Sequence, residues 1–174
     1  RAVREDFEPT KGPIGAVLRD MLAGRTALSG DDEKDRRLLA MLFAADRAHH
    51  LTKPGDGVER LLAQGTDVVC ARYVLSSLAY EGGGGAAAEF VESLNAGYRT
   101  PDLVLYLDCP VDAALARLAA SRPTFDIFEN RRELERVKSN YDRLIPSWRG
   151  PVLVADAMQP AASITQQVLR RLGL

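Results

Sequence analysis

Arg72 follows the short apolar run Asp67-Val68-Val69-Cys70 and opens the segment Arg72-Tyr73-Val74-Leu75-Ser76-Ser77-Leu78-Ala79-Tyr80. An arginine just past the carboxyl end of a buried strand can present a planar fork of donors to phosphate oxygens. Ser76, Ser77 and Tyr80 add hydroxyls about one helical turn further on. Upstream, Phe43 and Arg47 stand at i and i+4, on one face of a helix. An aromatic ring beside a guanidinium suits a nucleobase: the ring stacks and the guanidinium hydrogen-bonds the base edge. Each residue also has a plainer reading. Phe43 could be a core aromatic, and Arg47 a solvated helix-face arginine.

The elements that must position these residues follow from periodicity and punctuation. Helix-period apolar residues run from Ile14 to Leu22, with Pro13 inside the start and Gly24 at the end. A second helix begins near Asp31 to Glu33 and runs to His50, and its acidic first turn suits the helix dipole. Pro54-Gly55 breaks it, and Val58 to Ala63 forms a short helix before the strand ending at Cys70. Gly82 to Gly85 reads as a flexible tract, followed by a helix from Ala86 to about Ala96. Leu103 to Leu107 is a strand, Val111 to Ala120 a helix, and Arg131 to Leu144 a polar helix. Val152 to Val154 is a further strand, and Ala161 to Leu172 closes the chain as a helix. An additional strand is expected around Ala2 to Phe7. Alternating short apolar strands and helices predict an α/β fold, one domain with a doubly wound parallel sheet flanked by helices. Such sheets bind ligands beyond the carboxyl ends of their strands, which favours residues just after Cys70, Leu107 and Val154.

Composition bounds the function classes. The chain has 174 residues, 46% of them hydrophobic, with 23 Lys+Arg against 24 Asp+Glu and a net charge of −1. No overall basic surface argues for nucleic acid. No apolar run approaches the ~20 residues of a membrane span. The sequence opens Arg1-Ala2-Val3-Arg4 without a secretory signal, and Cys70 and Cys109 lie in apolar runs, which predicts reduced core thiols and a cytoplasmic setting. His49 and His50 are the only histidines; with no Cys or carboxylate at ligand spacing, no metal site is expected. The charges from Arg131 to Arg143 alternate in sign, as on a solvated helix face.

Three ordered blocks carry a resemblance to a known family. They are Glu8-Pro9-Thr10-Lys11-Gly12-Pro13-Ile14-Gly15, Leu42-Phe43-Ala44-Ala45-Asp46-Arg47, and Arg72 through Gly82. Pro101-Asp102-Leu103-Val104-Leu105-Tyr106-Leu107-Asp108 adds a strand in the right place. The chain resembles thymidylate kinase, a family of P-loop nucleoside monophosphate kinases. The resemblance implies ATP-dependent phosphoryl transfer to thymidine monophosphate (dTMP), giving the diphosphate, with ATP and Mg2+ as cofactors. Phe43 would then stack on the pyrimidine and Arg47 would bond its carbonyl edge. Arg72 would hold the acceptor phosphate, Ser77 would sit near the N3 edge, and Tyr80 would pack beside the deoxyribose. Glu8 and Pro9 would shape the loop over the nucleotide. Arg122 and the stretch from Asp126 to Glu129 resemble a lid spanning about residues 121–131. Asp156-Ala157 resembles the turn beside the donor adenine. Homodimerisation through helix packing is expected on the same ground.

The sequence departs from the family pattern in three ways. No Gly-x-x-x-x-Gly-Lys-Ser/Thr occurs in it, and it enters at what looks like the family's second strand, so a preceding βα unit of roughly 30 residues is expected upstream. A fragment lacking that strand is expected to fold poorly by itself. Ala71 stands where the family carries an acid before the arginine, and a methyl cannot accept from metal-bound water. Phe7 and Ile127 stand where many members have arginines, which leaves fewer cations for the transferring phosphoryl group. Two alternatives remain beside the dTMP kinase: a catalytically degenerate module that binds a nucleotide or a partner, and a kinase for another deoxynucleotide.

Overall fold

The computed structural model describes residues 2–121 and 126–174. By its internal contacts the chain divides into two compact units, Arg1–Tyr98 and Arg99–Leu174. Among the described residues, no helix is long and apolar enough to cross a membrane.

The first unit runs β1 (Val3–Phe7), α1 (Pro13–Leu22), α2 (Asp32–Thr52), α3 (Val58–Ala63), β2 (Asp67–Ala71), α4 (Val74–Ser77) and α5 (Gly85–Asn95). Strands β1 and β2 pair in parallel from Val3↔Asp67 to Phe7↔Ala71, so their carboxyl ends finish side by side. The Glu8 N–H extends the ladder by donating to the Ala71 carbonyl at 3.1 Å. Glu8 and Arg72 therefore leave the sheet next to each other.

Helix α2 is the long element over this sheet. Asp31 caps it, its carboxylate accepting from the Glu33 and Lys34 N–H groups. Its inner face carries Leu39, Ala40, Ala44 and Leu51, which join Leu18 of α1, Leu75, Leu78, Ala79 and Val91 in the core. The same face also buries Asp46, Arg47 and His50. Charged groups on a core-facing stripe need partners, and the neighbouring strand end supplies them.

The glycine tract expected to be merely flexible does more than connect. After α4 the chain makes one π-helical turn, Leu78–Gly82, and α5 starts at Gly85. Gly83 and Gly84 take φ of 64° and 122°, values reached without a Cβ penalty only by glycine.

The second unit runs β3 (Val104–Asp108), α6 (Val111–Ser121), α7 (Arg131–Ser147), β4 (Val152–Asp156) and α8 (Ala161–Leu172). Strands β3 and β4 pair in parallel from Val104↔Val152 to Asp108↔Asp156. Tyr106 stacks on Tyr141 with centroids 5.0 Å apart, which seats α7 on the sheet. The α7 charge run is solvated only in part: Arg131 pairs with Glu135 at the exposed surface, whereas the Arg136–Glu133 pair and Lys138, which pairs with Asp142, are half-buried. Lys138 also reaches Asp108 at 2.9 Å.

Candidate functional site

The end of β1 and the inner face of α2 meet in a buried polar cluster. Glu8 is 3% exposed and Arg47 1% exposed. Arg47 donates to the Glu8 carboxylate at 2.7 Å and to the Ser77 hydroxyl at 3.3 Å, and its other terminal nitrogen bonds the Asn95 side-chain oxygen. Asn95 is anchored in turn, donating to the Val91 carbonyl at 2.7 Å. The guanidinium lies over the Tyr73 ring at 4.9 Å. The solvated helix-face reading of Arg47 is thereby overturned, because its terminal nitrogens are locked inward. Its Nε is buried without a hydrogen-bond partner, and so is the Tyr73 hydroxyl.

A second layer fixes the Glu-Pro loop onto the same helix. Both Asp46 carboxylate oxygens accept from Thr10, one from its N–H and one from its hydroxyl, each at 2.7 Å. The Thr10 hydroxyl also accepts from the Gly12 N–H at 3.1 Å. Arg19 of α1 donates to the Pro9 carbonyl at 3.1 Å and to the Thr10 carbonyl. Gly15 permits this approach: a Cβ there would sit 2.0 Å from the Thr10 carbonyl oxygen. The Glu8–Pro9 peptide is cis.

The exposed side of the site belongs to Arg72. Its φ is +72°, a left-handed conformation uncommon for a side-chain-bearing residue and costly by about 1–2 kcal/mol. Such an outlier directly after a strand end is a reasonable marker of function. The Arg72 guanidinium lies 4.7 Å from the Tyr80 ring centroid, and Arg36 donates to the Tyr80 carbonyl at 3.1 Å. Phe43 and Tyr80 are half-buried, whereas Ala71 is exposed. The arrangement offers a buried guanidinium, a half-buried aromatic one turn before it on α2, and an exposed arginine at a strand end.

The structure thus joins Glu8, Arg47 and Ser77 directly and pairs Arg72 with Tyr80. The remaining expected residues fall elsewhere. Arg122 lies outside the described residues. In the second unit, a Glu129 carboxylate oxygen accepts from the Asp126 N–H at 2.9 Å. Asp156 accepts from the Met158 N–H at 2.8 Å, the Ala157 N–H donates to the Asp108 carbonyl at 2.8 Å, and the Ala157 carbonyl accepts from Arg117 at 2.8 Å. A cavity of about 360 Å³ at the carboxyl ends of β3 and β4 is lined by Asp108, Pro110, Lys138, Val154 and Asp156.

His50 was missed by spacing alone. Its Nδ1 lies 3.2 Å from Glu8 and its Nε2 3.1 Å from Asp6. Cys70 joins them from β2, so that ligand atoms of Glu8, His50 and Cys70 all lie within 4.8 Å of one another. No sequence spacing could show this, because three separate elements supply the groups. Arg47 already occupies Glu8, and burial, with Glu8 and Asp6 nearby, pushes the Cys70 thiol up to about 12. The cluster is therefore an ion-paired carboxylate and a histidine beside a neutral thiol rather than a metal-ligand set. A usable signal did exist: His50 lies three residues after Arg47 and seven after Phe43, on the helix stripe that otherwise carries Leu39, Ala40 and Ala44.

Comparison with known proteins gives one consistent answer. A sequence model of the family described as Thymidylate kinase matches residues 1–168. A Treponema pallidum protein named as a thymidylate kinase is 32% identical over 95% of this chain and 78% of its own length. A Methanococcus aeolicus protein of the same name is 30% identical over 95% of this chain and 80% of its own length. One from Aeropyrum pernix is 37% identical over 79% of this chain and 62% of its own length.

Proposed function

The chain belongs to the thymidylate kinase family, with its P-loop nucleotide kinase fold, and we propose that it serves ATP-dependent phosphorylation of dTMP to thymidine diphosphate. The observation that carries the acceptor reading is the Arg47 Nε, a buried donor with no partner. A buried donor without a partner costs about 1–3 kcal/mol, and a pyrimidine carbonyl is an acceptor that would satisfy it. Phe43, half-buried one turn earlier on α2, would stack on the ring. Ser77, already bonded to Arg47, would lie by the N3 edge. Tyr80 would flank the deoxyribose, and Glu8 and Pro9 would frame the base from the loop.

Arg72 would hold the acceptor phosphate from its exposed position beyond β2. In the transfer, an oxygen of that phosphate forms a bond to the γ-phosphorus of ATP while the bond from that phosphorus to the β–γ bridging oxygen breaks, releasing ADP. Little covalent work falls to the protein; positioning and charge neutralisation dominate. Arg122 and Glu129 would act from the lid, and Asp156 and Ala157 beside the donor adenine. A cytoplasmic homodimer is part of the same reading, supported by the family resemblance.

ATP and Mg2+ are the family's cofactors, but the groups described around Arg72 do not suit the metal. Ala71 offers only a methyl, and Asp6 and Glu8 are committed to His50 and Arg47.

A coupled ADP-release assay with dTMP and ATP, run on the full-length gene product, tests the proposal. ADP formation that depends on dTMP supports it. Saturable dTMP binding without ADP release would favour the nucleotide-binding module instead. Neither binding nor release would overturn the acceptor site.

A further inference from the structure

We propose that His50 works as a buried imidazolium that clamps the Asp6 and Glu8 carboxylates, thereby positioning Arg47, so that binding of the pyrimidine is governed by the charge on a residue that does not touch it. The inference rests on the acceptor-site reading for its functional half and on geometry alone for its charge.

The geometry favours two protons on the ring. His50 is 1% exposed, and each ring nitrogen faces a carboxylate oxygen: Nδ1 faces Glu8 at 3.2 Å and Nε2 faces Asp6 at 3.1 Å. An ionised carboxylate only accepts. Neutral imidazole carries one N–H, so one of its nitrogens would turn a lone pair toward an oxygen lone pair. Only the imidazolium carries an N–H at both nitrogens: Nδ1 donates to Glu8, and Nε2, close to Asp6 but not aligned for a hydrogen bond, attracts it by charge.

Charge balance leads to the same state. The titratable groups against His50 are Asp6 and Glu8 from β1 and its exit and Cys70 from β2; Asp46, Arg47 and His49 neighbour it along α2, and Tyr73 lies under the Arg47 guanidinium. Cys70 and Tyr73 are both pushed up to about 12, chiefly by burial, and remain neutral. Asp46 is occupied by the two Thr10 donors. Three carboxylates, Asp6, Glu8 and Asp46, then stand against one guanidinium, and a charged His50 brings the cluster nearer to neutrality. Burial opposes that charge, yet the Glu8 and Asp6 carboxylates outweigh it and hold the imidazole above 6.5.

The consequence reaches Arg47 through a shared carboxylate. One Glu8 oxygen faces His50 and the other takes Arg47 at 2.7 Å. With His50 charged, Glu8 is pinned from two sides and the guanidinium keeps its orientation. Loss of the proton frees one Glu8 oxygen and leaves the half-buried Asp6 carboxylate without its cationic partner. His50 is thus a positioning residue for the base pocket.

The test uses thymidine, which lacks the phosphate whose own titration near ~6 would obscure the result. Its affinity is measured calorimetrically from about pH 6 to about pH 9, alongside the NMR shifts of the His50 ring over the same range. The expected result is a ring whose second proton leaves at a pH above the ordinary histidine value of 6.5. Thymidine affinity should fall by about tenfold as that proton leaves, the equivalent of one pKa unit of coupling. His50→Gln, which keeps a donor without the charge, should bind more weakly than wild type and show no pH dependence through this range. A ring titrating at or below its ordinary value overturns the imidazolium. Flat wild-type binding through the ring's titration, or an unchanged pH profile in His50→Gln, overturns the coupling even if the variant is less stable. If thymidine binds at no pH, the acceptor reading and the coupling both fail, while the ring shifts still decide the charge of His50.

Discussion

Glu8 and Arg47 form an ion pair at 2.7 Å with each side chain 1% exposed, joining the exit of a strand to the inner face of a long helix. Removing one member of a buried pair leaves the other uncompensated, at a cost of about 3–5 kcal/mol. Glu8→Ala should therefore lower the thermal midpoint sharply, whereas Glu8→Gln, which can still accept from Arg47, should lose less. Equal loss in both variants would show that the charge is not what holds the pair. Denaturant unfolding monitored by circular dichroism makes the comparison.

Arg72 separates a backbone effect from a chemical one. Arg72→Ala keeps the strained φ and removes the guanidinium; Arg72→Gly removes both. We expect Arg72→Gly to be the more stable of the two by up to about 1–2 kcal/mol, the cost of a left-handed residue. Both should lose about 10²–10³ in kcat/KM for dTMP, comparable to loss of one donor aimed at developing charge. Arg72→Lys should rescue little, because an ammonium cannot form the planar fork. Steady-state kinetics with full activity in Arg72→Lys would argue against the phosphate role.

Gly15 has a steric task visible only in three dimensions. A Cβ at this position would lie 2.0 Å from the Thr10 carbonyl oxygen and 2.7 Å from the Thr10 nitrogen, both backbone atoms. Gly15→Ala must displace the Glu-Pro loop, at a cost of about 1–3 kcal/mol. Its KM for dTMP should rise more than its kcat falls. An unchanged KM would mean that the loop does not shape the acceptor site.

Stability should depend on pH through His50. Its pKa is raised in the folded chain, so its contribution is complete below 6.5 and is lost as pH rises through the folded value. Thermal midpoints should decline as pH rises above 6.5 in wild type and less in His50→Gln. A wild-type midpoint that rises across that interval would contradict the sign.

The sequence and the structure agree most closely where local signals are strong. Pro13 and the residues to Leu22 bound α1 as expected, and Val58–Ala63 and Ala161–Leu172 form the helices that their periodicity requires. Asp31 and its acidic followers announced the start of α2, and its side chain does cap the helix. The π-helical turn after Ser77 left no such mark, because it depends on how Leu78 and Ala79 pack into the core. Arg47 and Phe43 were visible as a helix-face pair, but the partners of Arg47 were not. Glu8, Ser77 and Asn95 come from three other segments, and only the fold brings them to one guanidinium. His50 was set aside for want of neighbours in sequence, although its carboxylate partners stand 42 and 44 positions upstream on the adjoining strand and its exit.

We propose that α2 and the exit of β2 form a dTMP acceptor site. Calorimetric titration of dTMP into the chain and into its Phe43→Ala variant tests it most directly. We expect saturable binding at one site, weakened in Phe43→Ala by the ~1–3 kcal/mol that a stacked base contributes, roughly fivefold to 150-fold in Kd. Absent binding, or the same Kd in both proteins, would contradict it.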